Sequence, residues 1–251
     1  MNPTEHRRNS SSTPLILLGL LVVSLLAWPA LVFAAPTGAS VIYVSNTTAN
    51  ASNPSNRTDP RSTITTLRLD ATQQDDHWKG YVGNVTGKLT LDDANQKTIY
   101  DWSLVGVTIQ GRVYVSRNAS IIFSSTACAA NATVNTEDAF NNMTGSSSDS
   151  VNQTFLNQTH KGFYVGETPI ANNTCRALAT FVNDTRQSIS ESAYFQEILL
   201  QDSATNLIYV TIIEPHLAGF DNNSYDFQLI VAESGVKTSP TTYYFFTEIG
   251  S

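Results

Sequence analysis

Apolar and polar residues alternate with a period of two in several runs beyond residue 78. Val85, Leu89 and Leu91 are separated by Thr86, Lys88 and Thr90. On the return run Tyr100, Trp102 and Leu104 share one face, and Ile99, Asp101 and Ser103 the other. That period suits strands with one buried and one wet face. Residues 82–91 and 98–104, joined by a turn over 92–97, are therefore expected to form a hairpin at the centre of the domain. Gly111 to Ser116 alternates cleanly, turns at 117–119 and returns at 121–123. Residues 194–200 and 207–213 predict a second hairpin, and 225–231 a further strand. In the closing run 241–249, Tyr243-Tyr244-Phe245-Phe246 is bulky on both faces, which predicts a strand placed centrally in a sheet. Many short strands spaced by turn residues indicate an all-β fold, mainly an antiparallel β-sandwich.

Residues 129–175 break the alternation and read as a short helical and loop insertion over the sheet. Thr136 with Glu137 and Asp138 predicts the start of a short helix. Residues 145–150 read as a flexible spacer, and Val151, Phe155 and Leu156 as one side of another helical turn. Residues 36–60 are rich in Thr, Ser, Asn, Ala and Pro, a polar linker in which Val41-Ile42-Tyr43-Val44 is either a first strand or a tether. Ile64, Leu67 and Leu69 lie in a strand-forming setting. The domain proper is expected over 61–251. Residues 1–35 have the layout of a signal peptide: Arg7 and Arg8, an apolar run from Leu15 to Ala35, and small residues at its end. The alternative is a retained anchor, since the run is long enough to cross a bilayer.

Charge narrows the partners. The chain carries 14 basic and 21 acidic residues, a formal net charge of −7, with no Lys/Arg stripe. That argues against nucleic acid and against an anionic membrane surface. Membrane contact is expected only through the N-terminal segment, if it is retained. Only 14% of residues are charged, so Ser, Thr, Asn and Gln must supply the polar surface. The 41% hydrophobic content is enough for a core.

Cys128 and Cys175 are the two cysteines. Behind a leader both meet an unreduced compartment, which favours a bridge worth roughly 3–4 kcal/mol over two free thiols. Asn-x-Ser/Thr triplets begin at Asn46, Asn50, Asn56, Asn84, Asn118, Asn131, Asn142, Asn152, Asn157, Asn172, Asn183 and Asn222. Each is a candidate for N-glycosylation, although an Asn/Ser/Thr-rich chain generates such triplets by composition.

Catalytic chemistry is thinly represented. Asp75-Asp76-His77, His160 and His216 are the groups that could do acid–base work, and no Gly-x-Ser-x-Gly elbow accompanies them. Glu197, Asp202, Glu214, Asp221 and Asp226 could pair as glycosidase carboxylates, but Glu197 and Asp202 bracket an expected hairpin end. No catalytic residue and no cofactor is assigned. Calcium is the one metal the loops could suit, through Asp92, Asp93 and Asp221. Trp78, Tyr81 and Trp102 could line a sugar-binding platform, against the commoner use of such rings as core.

Several segments resemble an uncharacterised family of secreted archaeal surface proteins. They are WKGYVGNVTG at 78–87 with LTLDD at 89–93, FQEILLQD at 195–202, YDFQ at 225–228 and YYFFTE at 243–248, with the two cysteines placed as in that pattern. The resemblance implies an exported surface protein and brings no catalytic residues. Three readings follow. The first is an exported, glycosylated surface protein with a structural, adhesive or envelope role, self-associating or meeting other surface proteins through an exposed strand edge. The second is a carbohydrate- or calcium-dependent binding module. The third is a secreted hydrolase, which would require His77 or His160 to meet a carboxylate in a pocket.

Overall fold

The strongest strand pattern in the chain, residues 194–213, occupies the interior of the main sheet. In the computed structural model the described residues are 35–92, 95, 97–103, 109–236 and 238–250. Among them the chain runs β1 (Thr37–Gly38), β2 (Trp78–Gly83), β3 (Lys88–Asp92), β4 (Thr98–Ser103), β5 (Gln110–Ser116), β6 (Ala127–Cys128), α1 (Asn131–Phe140), α2 (Val151–Thr154), β7 (Phe163–Val165), β8 (Thr168–Ile170), β9 (Ala177–Ala179), β10 (Gln196–Gln201), β11 (Leu207–Ile212), β12 (Leu217–Ala218), β13 (Ser224–Tyr225), β14 (Phe227–Ala232) and β15 (Tyr244–Gly250). Residues 34–251 form one compact unit. The expected leader, 1–35, falls almost wholly outside the described residues. No described helix is long and apolar enough to cross a membrane.

The main sheet is antiparallel and seven-stranded, in the order β1-β15-β5-β11-β10-β6, with β9 also pairing β10 on the β6 side. Both of its faces are covered, so β10 and β11 are buried almost throughout. On one face Leu199, Leu207 and Tyr209, with Val113 and Val115, join a core that includes Leu229 and Val231 of β14, Val134 of α1 and Phe155 after α2. On the other, Ile198, Leu200, Ile208, Val210 and Tyr114 are covered by Phe163, Val165 and Ile170 of the β7–β8 hairpin. The architecture is thus an unequal β-sandwich. Its helices lie on one face of the sheet and the β7–β8 hairpin on the other.

The pair β14–β2 carries the second layer. Its attachment is partly polar. Ile230 donates its N–H to Glu197 Oε2 (2.9 Å), Thr211 Oγ1 donates to the Gln228 carbonyl (3.0 Å), and the Tyr243 hydroxyl donates to the Ala232 carbonyl (2.6 Å). Those three β14 residues turn their backbone groups away from β2. Side chains of the main sheet and its flank therefore satisfy an edge where another strand would otherwise stand.

Several expectations are corrected. The run 82–91 is not one strand: β2 ends at Gly83 and β3 starts at Lys88. Asp226 causes the break, since its N–H bonds the Gly83 carbonyl (2.9 Å) and its Oδ2 accepts from Val85 N–H (2.9 Å). The β3–β4 hairpin forms, but it stands apart from the main sheet rather than at its centre. Strand β15 is next to the edge, not central. Its bulk on both faces is explained by Phe245 meeting Tyr81 on one side (ring centroids 5.0 Å) and Phe246 meeting Phe123 on the other (5.3 Å). Helix α1 begins at Asn131 rather than near Thr136. Gln201 Oε1 ties its start down, accepting from Ala130 N–H and Thr133 Oγ1 (2.7 Å each). Gly111 is required where it stands: at φ +145° a Cβ would fall 1.9 Å from the Glu248 carbonyl oxygen.

Residues 40–76 form neither helix nor strand, and every one of them is exposed. The strand-forming run 64–69 is among them, so that expectation also fails. Of the polar stretch 36–60, residues 37–38 instead pair as β1, and the exposed part runs on from residue 40 to the start of β2.

Candidate functional site

The Asp75-Asp76-His77 segment lies where the exposed tether enters β2. Asp75 Oδ1 accepts the His77 N–H (2.9 Å), an Asx turn that bends the chain into the strand. The His77 imidazole then meets Asp149, with Nδ1 to Oδ2 at 2.8 Å, and lies 3.6 Å from Asp75 Oδ1 and 3.8 Å from Asp76 Oδ1. Asp149 belongs to the loop between the helices. Its carbonyl accepts from Trp78 Nε1 (2.8 Å), and the next residue, Ser150, caps α2 by accepting from Gln153 N–H (3.2 Å). One ligand atom each from Asp75, His77 and Asp149 lies within 4.8 Å of the others. Two carboxylates and an imidazole could coordinate a divalent cation, and the nitrogen suits zinc or manganese better than calcium. The contacts seen have a simpler role, which is to pin the interhelical loop onto the start of β2. The loop expected to be a flexible spacer is therefore held at Asp149, and nothing in its own sequence signals a partner 72 residues back.

His160 is fully buried and is used by the backbone. Its Nε2 accepts from Thr174 N–H (3.2 Å) and Cys175 N–H (3.0 Å), so the proton sits on Nδ1 and is donated to the Lys161 carbonyl (2.9 Å). Both ring nitrogens are thereby committed beside the Cys128–Cys175 disulfide, whose Cα atoms are 4.9 Å apart. His216, the third histidine of interest, is exposed and donates its N–H to Asp226.

The acidic candidates are likewise tied into the fold. Asp202 accepts from Ile122, Ala204 and Asn206 N–H, and Glu214 from Lys161 Nζ (2.8 Å). Asp221 accepts from Asn223 N–H (3.1 Å), Asn223 Nδ2 (2.7 Å) and the Tyr225 hydroxyl (3.0 Å), closing the β12–β13 turn. Those bonds outweigh its desolvation and hold its carboxyl below the usual range. Asp92 pairs with Thr98 in the β3–β4 hairpin, its side chain outside the described set, and Asp93 lies outside the described residues.

The aromatic candidates face inward or fall outside the described set. Trp78 is half-buried against Phe155 (6.2 Å) with its N–H used by Asp149. Tyr81 packs edge-on against Phe245. Trp102 pairs with Leu89 across the hairpin, and its side chain is outside the described set.

Among the buried carboxylates that sequence reasoning missed are Glu137 and Glu248. Glu137 of α1 receives Arg117 through Nε (3.1 and 3.0 Å) and Nη2 (2.7 Å), with the Tyr209 and Tyr243 hydroxyls each 3.4 Å away. On the opposite face, Glu248 takes the Tyr114 hydroxyl, Arg112 Nη1 (3.3 Å) and Gly166 N–H (3.3 Å). An open depression of about 510 Å³ borders Arg117 and Glu137. The carboxylate is already saturated there, so the depression offers no poised acid or base.

Eleven of the twelve candidate glycosylation asparagines are exposed, and Asn152 is half-buried. No family model, curated protein or solved structure matches the chain.

Proposed function

We propose that this protein is an exported surface glycoprotein whose β domain has a structural or envelope role. The exposure of the sequons carries the reading. Eleven of twelve asparagines reach solvent although they are scattered from the tether through β12–β13, and composition alone would not keep them out of strands and core. The disulfide is consistent with an unreduced compartment. Two buried carboxylates, Glu137 and Glu248, are held by arginines and stiffen the domain, as a structural role would require. The resemblance to secreted archaeal surface proteins points the same way.

Fractionation of producing cells tests this. The expected result is recovery in the envelope or medium, with glycan on sequons of the 46–56 group. Recovery in the cytosol with bare asparagines would contradict it.

A further inference from the structure

A run of four strand-forming residues, Val41-Ile42-Tyr43-Val44, stands in solvent directly after β1. Ile42 is 83% and Val44 88% exposed. The register explains why. β1 pairs Thr37 with Thr247 and Gly38 with Phe246, and Ala39 N–H still bonds the Phe245 carbonyl (3.0 Å). Continued, that register would set Val41 against Tyr243 and Val44 against Pro240. But β15 starts at Tyr244, so the partner ends where the apolar run begins. The run is an overhang of a sheet-edge strand, apolar on both faces, followed by polar residues from Ser45. Such a run in water is a strand lacking its neighbour.

An edge to receive it exists on β2. Glu233 N–H bonds the His77 carbonyl (2.7 Å), so the odd-numbered residues of β2 bond β14, and Trp78, Gly80 and Val82 point their backbone groups the other way. Among the described residues no strand pairs that side. Edges left free in monomers are usually guarded by a charge, a proline or a bulge. The outer edge of β2 has none: its one charged residue, Lys79, is drawn to Glu233. Gly80 has no atom within 4 Å of where a Cβ would stand, and Val82 is 37% exposed. Nearby, Phe245 and Ile249 of β15 are only partly buried.

We propose that Val41–Val44 of one copy adds as a strand to the outer edge of β2 of a second copy. Main-chain bonds supply the affinity, and the alternate apolar side chains fix the register. Donor and acceptor lie at different places on the molecule, so the contact is head-to-tail and builds open chains rather than closed dimers. The inference rests on the surface-protein reading for a setting in which copies are crowded together.

The test mixes two defective variants of the secreted chain, sized by light scattering. Ile42→Asp with Val44→Asp removes the donor at fully exposed positions. Gly80→Pro removes an acceptor N–H that does not bond β14. Val82→Lys is a second acceptor variant should the proline disturb folding, checked by its melting temperature. The native chain is expected to form a concentration-dependent ladder, and each variant alone to stay monomeric. The two mixed should stop at a heterodimer, because one intact donor meets one intact acceptor. A monomeric native chain would overturn the inference, as would assembly by the folded acceptor variants. A monomeric chain that is nonetheless secreted and glycosylated would sink the assembly alone and leave the surface reading standing.

Discussion

Glu197 of β10 has no exposed surface, one oxygen accepting from Ile230 N–H and the other without a hydrogen-bond partner. Burial pushes its carboxyl well above the ordinary range, and the single backbone bond offsets only part of that. The sign follows from linkage. With the folded value above the unfolded one, the native state holds a proton that the unfolded chain releases, so this group's contribution to stability falls as pH rises above the unfolded value near 4.5. Glu197→Gln keeps the acceptor and removes the ionisation. It is expected to raise stability at pH 8 by on the order of 1–2 kcal/mol, with the gain shrinking toward pH 4.5. Melting temperatures across that range check it, and a gain independent of pH would contradict it. Glu233 runs the other way. Burial alone would raise its carboxyl, but Lys79, Thr241 and the Ser234 and Thr241 N–H groups bring it to about 2. Its contribution is therefore present above the unfolded value and is lost as pH falls toward 2.

At the scale of elements, the disulfide fastens a weakly paired margin. It joins Cys128 of the two-residue β6 to Cys175, two residues before β9, and both of these strands pair with β10. Between the cysteines lie α1, α2 and the β7–β8 hairpin, which cover both faces of the main sheet. Reduction is expected to lower stability by about 3–4 kcal/mol, read as the shift in denaturant midpoint of Cys128→Ser with Cys175→Ser. An unchanged midpoint would contradict a stabilising role. Local pairing was legible here. The β3–β4 pairing and the strand at 110–116 follow from alternation, and the β10–β11 hairpin from two apolar runs flanking a polar turn. Distant pairing was not. β2 and β14 meet across more than 140 residues, and β15 takes its place beside β5 by a register that no local pattern encodes. For the same reason nothing local marked Glu137 and Glu248 as buried carboxylates, since Arg117, Arg112 and Tyr114 come to them from elsewhere in the chain. The run 64–69 misled because strand propensity without a neighbouring strand forms nothing.

The described residues combine a closed core with a long exposed segment between β1 and β2. Layers on both faces bury the central strands, while residues 40–76 and eleven sequon asparagines remain in solvent. On the proposed reading, a domain of that kind suits display outside the cell: rigid where strands meet, with exposed sequons to receive sugar and an apolar run to offer a neighbour. The candidate cluster at Asp75, His77 and Asp149 was half legible, since the first two lie together in the sequence and only folding delivers the third. Intact mass of the protein from producing cells, before and after reduction, tests export, bridging and glycosylation together. The expected result is a chain starting near Ala35, carrying heterogeneous sugar additions and gaining two hydrogens on reduction. A full-length, unmodified chain with two free thiols would contradict the reading of an exported surface glycoprotein.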